Sequence, residues 1–266
     1  MGNSKAENFN ALHRQPAPLR LPNAWDAGSA LLIERLGARA IATTSAGVAW
    51  SHGYRDGDAL PLERHLSTIA AIARVITVPL SVDIEGGYTA ESDRIAETAA
   101  RFIEAGAVGF NIQDGAASPD LLCRKIEQIR ETAERLGVGL YLNARTDVYA
   151  RNLVCEDLRV NEVLIRARQY QEAGADGLFV LGVTDRDDIA QIATGTELLL
   201  NVIAWPGLPP AHELAALGVR RVSVGSWISQ TLWEHATSLA ANFLADGRSE
   251  PLFEFATPYS EVNACF

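Results

Sequence analysis

The chain offers almost nothing to a polyanion or a lipid bilayer. Lys and Arg number 23 against 33 Asp and Glu in 266 residues, a net charge of −10. No basic run interrupts that balance, so nucleic acid and anionic membranes are excluded as partners. No apolar run approaches the roughly 20 residues of a membrane span, and Met1 to Gln15 is polar, without the apolar core of a secretory signal. Cysteine is scarce: Cys123, Cys155 and Cys265 are odd in number, far apart and in no metal-ligand spacing. That excludes a disulfide framework and a zinc knuckle, and implies reduced thiols in a cytoplasmic protein. An anionic substrate must then be bound locally, by a metal or a placed Arg.

What the chain does have is apolar content, 48% of residues, enough for one large core, and a phrase that recurs. A helix-like stretch ends in Gly plus a small or apolar residue, and a short apolar run follows. The phrase appears at Gly37-Ala38, Gly106-Ala107, Gly137-Val138, Gly174-Ala175 and Gly218-Val219. Gly just past a helix accepts the left-handed conformation that ends it. The runs after it are too short for helices and too uniformly apolar for one-sided strands, so they suit strands buried on both faces. The count is eight strands, at 20–23, 40–44, 80–84, 109–112, 140–144, 177–180, 198–202 and 221–224, with helices at 27–36, 90–105, 121–136, 161–173, 210–217 and 226–244. Eight βα units in about 250 residues predict a (β/α)8 TIM barrel, with an open doubly wound sheet as the alternative. The expected organisation is a flexible arm over 1–19, the barrel over 20–246, and an aromatic extension over 247–266 that packs on the barrel or on a neighbouring subunit.

In such a barrel the catalytic groups lie at the C-terminal ends of the strands. The most charged of these ends is Asp83-Ile84-Glu85-Gly86-Gly87. Residues i and i+2 of a strand share a face, so two carboxylates sit side by side and require an offset by a cation, a shared proton or a neighbouring positive group. Oxygen-only ligands favour Mg²⁺, or Mn²⁺, over zinc. Arg145 follows the strand 140–144 and can clamp a carboxylate through two bonds. That role is preferred to a salt bridge with Asp147, Asp83 or Glu85. Ser45, Ala46 and Gly47 form a small-residue turn whose amides can cradle an anion. Trp25 and Asn201 stand at further strand ends as substrate contacts. The 50–58 loop adds Asp56, able to reach a metal-bound water, and His52 and Tyr54 as proton carriers.

Seven segments taken in order, 21–30 (LPNAWDAGSA), 43–47 (TTSAG), 53–56 (GYRD), 82–88 (VDIEGGY), 111–114 (NIQD), 143–147 (NARTD) and 222–226 (VSVGS), resemble the isocitrate lyase/phosphoenolpyruvate mutase superfamily. The resemblance runs from about Leu21 to Leu244. It implies a (β/α)8 barrel, often with the eighth helix exchanged between subunits of a homodimer or homotetramer. It also implies a Mg²⁺ on Asp83, with Glu85, Asp56 and the position of Gln113 holding its waters. A small 2-oxo or 2-hydroxy acid would chelate that ion, its carboxylate meeting the 45–47 amides and Arg145, and a C–C or P–C bond would break through a metal-stabilised enolate.

Two departures narrow the reaction. The loop after the fourth strand reads GAASPDLLC over 115–123, without the catalytic Cys of the lyases or the Lys of the mutases. Gln113 replaces the usual Glu, and Glu85 stands where many members have Asp. A bare loop is similar to the decarboxylase branch. The leading expectation is a Mg²⁺-dependent lyase on a small oxo- or hydroxy-(di)carboxylate, with oxaloacetate-type decarboxylation as the simplest case. The rivals are a phosphonopyruvate-type P–C enzyme using His52, Tyr54 or Tyr88 as proton donor, and a non-catalytic barrel that binds an oxo acid.

Overall fold

The computed structural model describes residues 2–89 and 92–266. Its strands are β1 (Leu19–Leu21), β2 (Asn23–Ala24), β3 (Ile41–Thr43), β4 (Leu80–Asp83), β5 (Gly109–Gln113), β6 (Tyr141–Thr146), β7 (Gly177–Val180), β8 (Leu199–Ile203) and β9 (Arg221–Ser223). All pairings are parallel, in the order β1-β9-β8-β7-β6-β5-β4-β3-β2. β1 and β2 are neighbours in sequence but stand at the two ends of that order. They are one strand interrupted at Pro22, which has no N–H to donate. The first half pairs with β9 and the second with β3, so the sheet comes round on itself as the (β/α)8 barrel. The five glycines of the recurring phrase all have positive φ, from 68° to 110°, as a left-handed helix end demands.

Helices follow the strands: α1 (Gly2–His13), α2 (Ala27–Arg35), α3 (Ser45–Ser51), α4 (Leu62–Val75), α5 (Ser92–Glu104), α6 (Pro119–Arg135), α7 (Arg159–Glu172), α8 (Arg186–Gly195), α9 (Ala211–Ala216), α10 (Trp227–Asp246), α11 (Glu250–Phe253) and α12 (Tyr259–Asn263). The expected start of the fifth helix, at 90, lies outside the described residues, as does Met1 of the expected arm. Among the described residues no helix is long and apolar enough to cross a membrane.

The remainder of that arm differs from expectation. Residues 2–13 are a helix, and it covers the N-terminal end of the barrel. Ala6, Phe9 and Leu12 are buried with Leu19, Ala40, Val108 and Tyr141, residues at strand beginnings. Phe9 meets Tyr141 edge-on, with centroids 5.6 Å apart, and His13 stacks on Tyr141 at 3.9 Å. The physical reason is that inward-facing apolar residues at the barrel floor need a lid, and Gly109 leaves room for the Phe9 ring. Phe9→Ala is expected to cost about 3–5 kcal/mol, read as a lowered melting temperature; an unchanged melt would mean that α1 is an appendage.

The opposite terminus is more open. α10 buries little beyond Ser229 and exposes Leu232, Trp233, Phe243 and Leu244. The tail then turns back along α2, where Arg35 Nη1 donates to the Ala264 carbonyl at 3.3 Å.

Candidate active site

The C-terminal strand ends enclose a cavity of about 280 Å³. Its charged lining residues are Asp83, Asp56 and Arg145, beside Ser45, Ala46 and Asn111. Asp83 ends β4. Its backbone N–H is held by Thr43 Oγ1 and its Oδ1 accepts the Glu85 N–H at 3.0 Å. Burial pushes its carboxyl up to about 6, while Arg145 and a hydrogen bond from Asn111 pull the other way. Burial pushes Glu85 up to about 7, with the Asp58 N–H opposing and the charges of Asp56, Asp83 and Asp58 adding to the rise. Raised carboxyl values mean that the folded state favours the protonated forms. These two acids therefore cost stability as pH climbs from about 4 through 7, unless a cation joins them.

Glu85 faces away from the cavity. Its backbone is left-handed (φ 53°). Its carboxylate accepts the N–H groups of Gly57 and Asp58 and, at 3.3 Å, the Tyr88 hydroxyl. It therefore does not share a face with Asp83 as strand alternation predicted. The strand ends at Asp83, and the turn rotates the next residues. Gly87 (φ 91°) completes that turn with Ile95 packed where a side chain would go. The role of Glu85 is to pin the loop that carries Asp56 over the mouth. Tyr88 links it onward to buried His65, whose Nδ1 lies 2.7 Å from the phenol oxygen. No sequence signal marked His65.

Arg145 is the last residue but one of β6, inside the strand rather than after it. Its Nε and Nη2 bond the two oxygens of Asp147 at 2.7 and 3.1 Å. The salt bridge ranked second in the sequence reading is thus present, while Arg145 still faces the cavity and its Nη1 makes no bond among the described residues. Asp147 is buried, and its backbone N–H donates to Asp114 Oδ1 at 3.0 Å. Asp114 Oδ2 accepts from Arg166 Nη1 and from the Tyr170 hydroxyl, each at 2.7 Å. Asp114 therefore anchors the support behind Arg145. Arg166 and Tyr170 went unnoticed in the sequence. Their signal was a charged residue within the buried stripe Val163, Arg166, Ala167, Tyr170 of α7, at helical spacing.

The remaining predicted residues divide. Ser45 and Ala46 line the cavity; the turn expected there is the first turn of α3, whose opening amides lack helix partners. Gly47 is a packing position, hemmed in by Thr44, Trp25 and Ser229. Trp25 packs on the small cluster of Val48, Ala49 and Leu60 instead of facing the mouth. Asn201 sits in the barrel interior, where Asn143 Nδ2 donates to it at 2.8 Å and to Asn111 at 2.9 Å. It faces inward below the cavity because side chains alternate along β8. His52 is exposed and bonded to Thr68 Oγ1 at 2.7 Å, and Tyr54 is also exposed; neither lines the cavity, because α3 carries the chain outward before the loop begins. Gln113 lines a separate cavity of about 440 Å³ with Lys125 and Asp58. Its backbone N–H holds the Glu85 carbonyl.

Among the described residues no group of three or more His, Cys, Asp and Glu has metal-binding geometry. A hydrated Mg²⁺ needs only one or two carboxylates. Asp83, half-buried, in no ion pair among the described residues and facing the cavity with Asp56, meets that need, so the residues fit the ion with one direct protein ligand.

The family model described as phosphoenolpyruvate phosphomutase matches residues 9–244. The chain belongs to the phosphoenolpyruvate phosphomutase family. A candidate lyase/mutase structure from Burkholderia cenocepacia J2315 superposes on this family member with a TM-score of 0.90 at 33% identity, covering 99% of this chain and 95% of that one. An uncharacterized protein of Mycobacterium tuberculosis is 36% identical over 261 residues, 97% of this chain and 95% of the relative. An oxaloacetate decarboxylase of Pseudomonas savastanoi, itself a carbon–carbon lyase, is 31% identical over 169 residues, 60% of this chain and 57% of that protein's length.

Proposed function

We propose that this family member is a Mg²⁺-dependent carbon–carbon lyase. Its substrate is a small 2-oxo or 2-hydroxy acid, cleaved at a carbon–carbon bond through an enolate. The observation that carries the reading is the joint placement of Asp83 and Arg145 in one mouth cavity. Bound at Asp83, the cation would supply a Lewis acid that draws electron density from the oxo oxygen. Everything else is the chain's own work. Arg145 meets the substrate carboxylate through the nitrogen that Asp147 leaves free. The amides of Ser45 and Ala46 lie where further negative charge can be met. Asp56 orders water over the mouth from a loop that Glu85 holds. The P–C alternative loses two of its named proton donors, since His52 and Tyr54 lie outside the cavity, and Tyr88 is turned toward Glu85 and His65.

The test is release of pyruvate or glyoxylate from a panel of oxo and hydroxy acids with and without Mg²⁺. Metal-dependent turnover of one or more is expected; none across the panel sinks the reading. A second expectation follows from the raised carboxyls. Metal ligation needs them deprotonated, so the rise in melting temperature caused by Mg²⁺ is larger at pH 8 than at pH 5. An equal rise at both would place the ion elsewhere. The exposed apolar residues of α10 also support exchange of that helix between subunits of a homo-oligomer, which light scattering reads as a mass at least twice that of the chain.

A further inference from the structure

The wall of the mouth cavity is divided. Its charged groups, Asp56, Asp83 and Arg145, come from β4, β6 and the loop after α3, beside Asn111 and the start of α3; Ser223, Ser226 and Gln230 add uncharged hydrogen-bonding groups at the far side, from the end of β9 onward. The two strands between, β7 and β8, contribute Phe179 and Leu181, then Ile203 and Trp205. Trp227, after β9, closes the apolar arc. It sits edge-on to Trp205 with centroids 6.0 Å apart, and its indole N–H is tied to the Ala204 carbonyl at 2.6 Å. The Arg145 guanidinium lies 5.9 Å from the Phe179 ring centroid, so the arc begins where the carboxylate clamp ends. Arg145 is the one cation lining the cavity among the described residues. A second carboxylate directed at β7 and β8 would lose its water there without a partner, which is costly. An alkyl or aryl group would gain by leaving water.

We infer that the acid taken by this site carries a single carboxylate at its oxo or hydroxy end and an alkyl or aryl group at the other, seated on Phe179, Leu181, Ile203, Trp205 and Trp227. The inference rests on the lyase reading for the head of the substrate and adds the identity of its tail. A 4-hydroxy-2-oxo acid with an apolar C4 substituent meets both. The C3–C4 bond breaks and its electron pair passes into the enolate of pyruvate. The C4 hydroxyl gives its proton to a carboxylate at the mouth, which returns it to C3, and an uncharged aldehyde leaves along the apolar arc.

Calorimetry on the full chain with Mg²⁺ separates the alternatives, using pyruvate, oxaloacetate, 2-oxoglutarate, 4-methyl-2-oxopentanoate and phenylpyruvate as probes. The last two are expected to bind about tenfold or more tighter than the others, the discrimination that a few carbons bring in an apolar pocket. Trp205→Ala, at a half-exposed position, should remove that preference, weakening the apolar acids more than pyruvate. Leu181→Lys should turn the preference toward 2-oxoglutarate. Dicarboxylates binding as tightly as the apolar acids to the unaltered protein, or a preference that survives Trp205→Ala, would overturn the inference. Pyruvate release from 4-hydroxy-2-oxo-4-phenylbutanoate is the second arm. The expected binding order without cleavage of any acid would leave the inference standing and remove the lyase reading. Cleavage of oxaloacetate with dicarboxylates bound best would do the reverse, and no binding by any probe would remove both.

Discussion

Asp83→Asn is expected to lower kcat/KM by about a thousandfold or more, the scale of losing a main electrostatic contribution to an enolate-like transition state. Asp83 is the carboxylate that stands half-buried at the end of β4 and open to the cavity, with Asn111 and Arg145 as its neighbours. Glu85 cannot replace it, since its carboxylate is committed to Gly57, Asp58 and Tyr88. The substitution should leave the fold intact. Burial holds the Asp83 carboxyl near 6, so at pH 8 the folded protein carries that charge at a cost, and the uncharged amide removes the cost. Activity and stability therefore move in opposite directions in this variant. Steady-state rates and melting curves at pH 8 measure both. A large fall in melting temperature, or a loss of activity of less than about tenfold, would show that Asp83 is a structural residue.

Asp114→Ala is expected to damage both properties. Asp114 is fully buried and satisfies three donors: Arg166 and Tyr170 of α7 and the Asp147 backbone after β6. Removing it leaves a guanidinium with 9% of its side chain exposed and only Glu162 to answer it. Breaking a buried pair from one side costs about 3–5 kcal/mol, or about 10 °C in melting temperature for a chain near this size. Asp147 then loses its anchor and Arg145 its orientation, and a misplaced clamp costs about a hundredfold in rate. Asp114→Leu combined with Arg166→Met should recover much of the stability, because no buried charge is left unpaired, without restoring the rate. A double variant no more stable than Asp114→Ala would show that the pair is not the source of the loss.

The eight-strand count was legible because each βα unit repeats the same physical requirements: a helix end that needs Gly, then a run short and apolar enough for a strand buried on both faces. Asp83, Asp56, Arg145, Ser45 and Ala46 were legible for a related reason, since polar residues at the ends of such strands have little structural purpose. The errors share a different cause. Glu85 was placed beside Asp83 by strand periodicity, but the strand stops at Asp83, two residues before Glu85, and a left-handed turn reverses the side chain. Asn201 was read as a mouth residue although it lies within β8, where alternation turns it into the barrel with Asn143. Trp25, His52 and Tyr54 were near the mouth in sequence but not in space, because α3 forms from residues read as a turn. α1 hid in a polar segment whose Ala6, Phe9 and Leu12 acquire a purpose only once a barrel floor exists to be covered. The Arg166–Asp114–Asp147–Arg145 support joins residues from two βα units and has no local signature.

The central claim is that the Asp83 end of the cavity and Arg145 together hold an oxo acid and a divalent cation. Oxalate places two carboxylate oxygens as the carboxylate and enolate oxygens of a pyruvate enolate would lie, so its binding reads this arrangement without depending on turnover. Calorimetric titration of oxalate into the protein with and without Mg²⁺, repeated with Asp83→Asn, measures it directly. Binding that requires Mg²⁺ and disappears in the variant is the expected result; oxalate binding that persists equally without the cation or without the Asp83 carboxylate would contradict it.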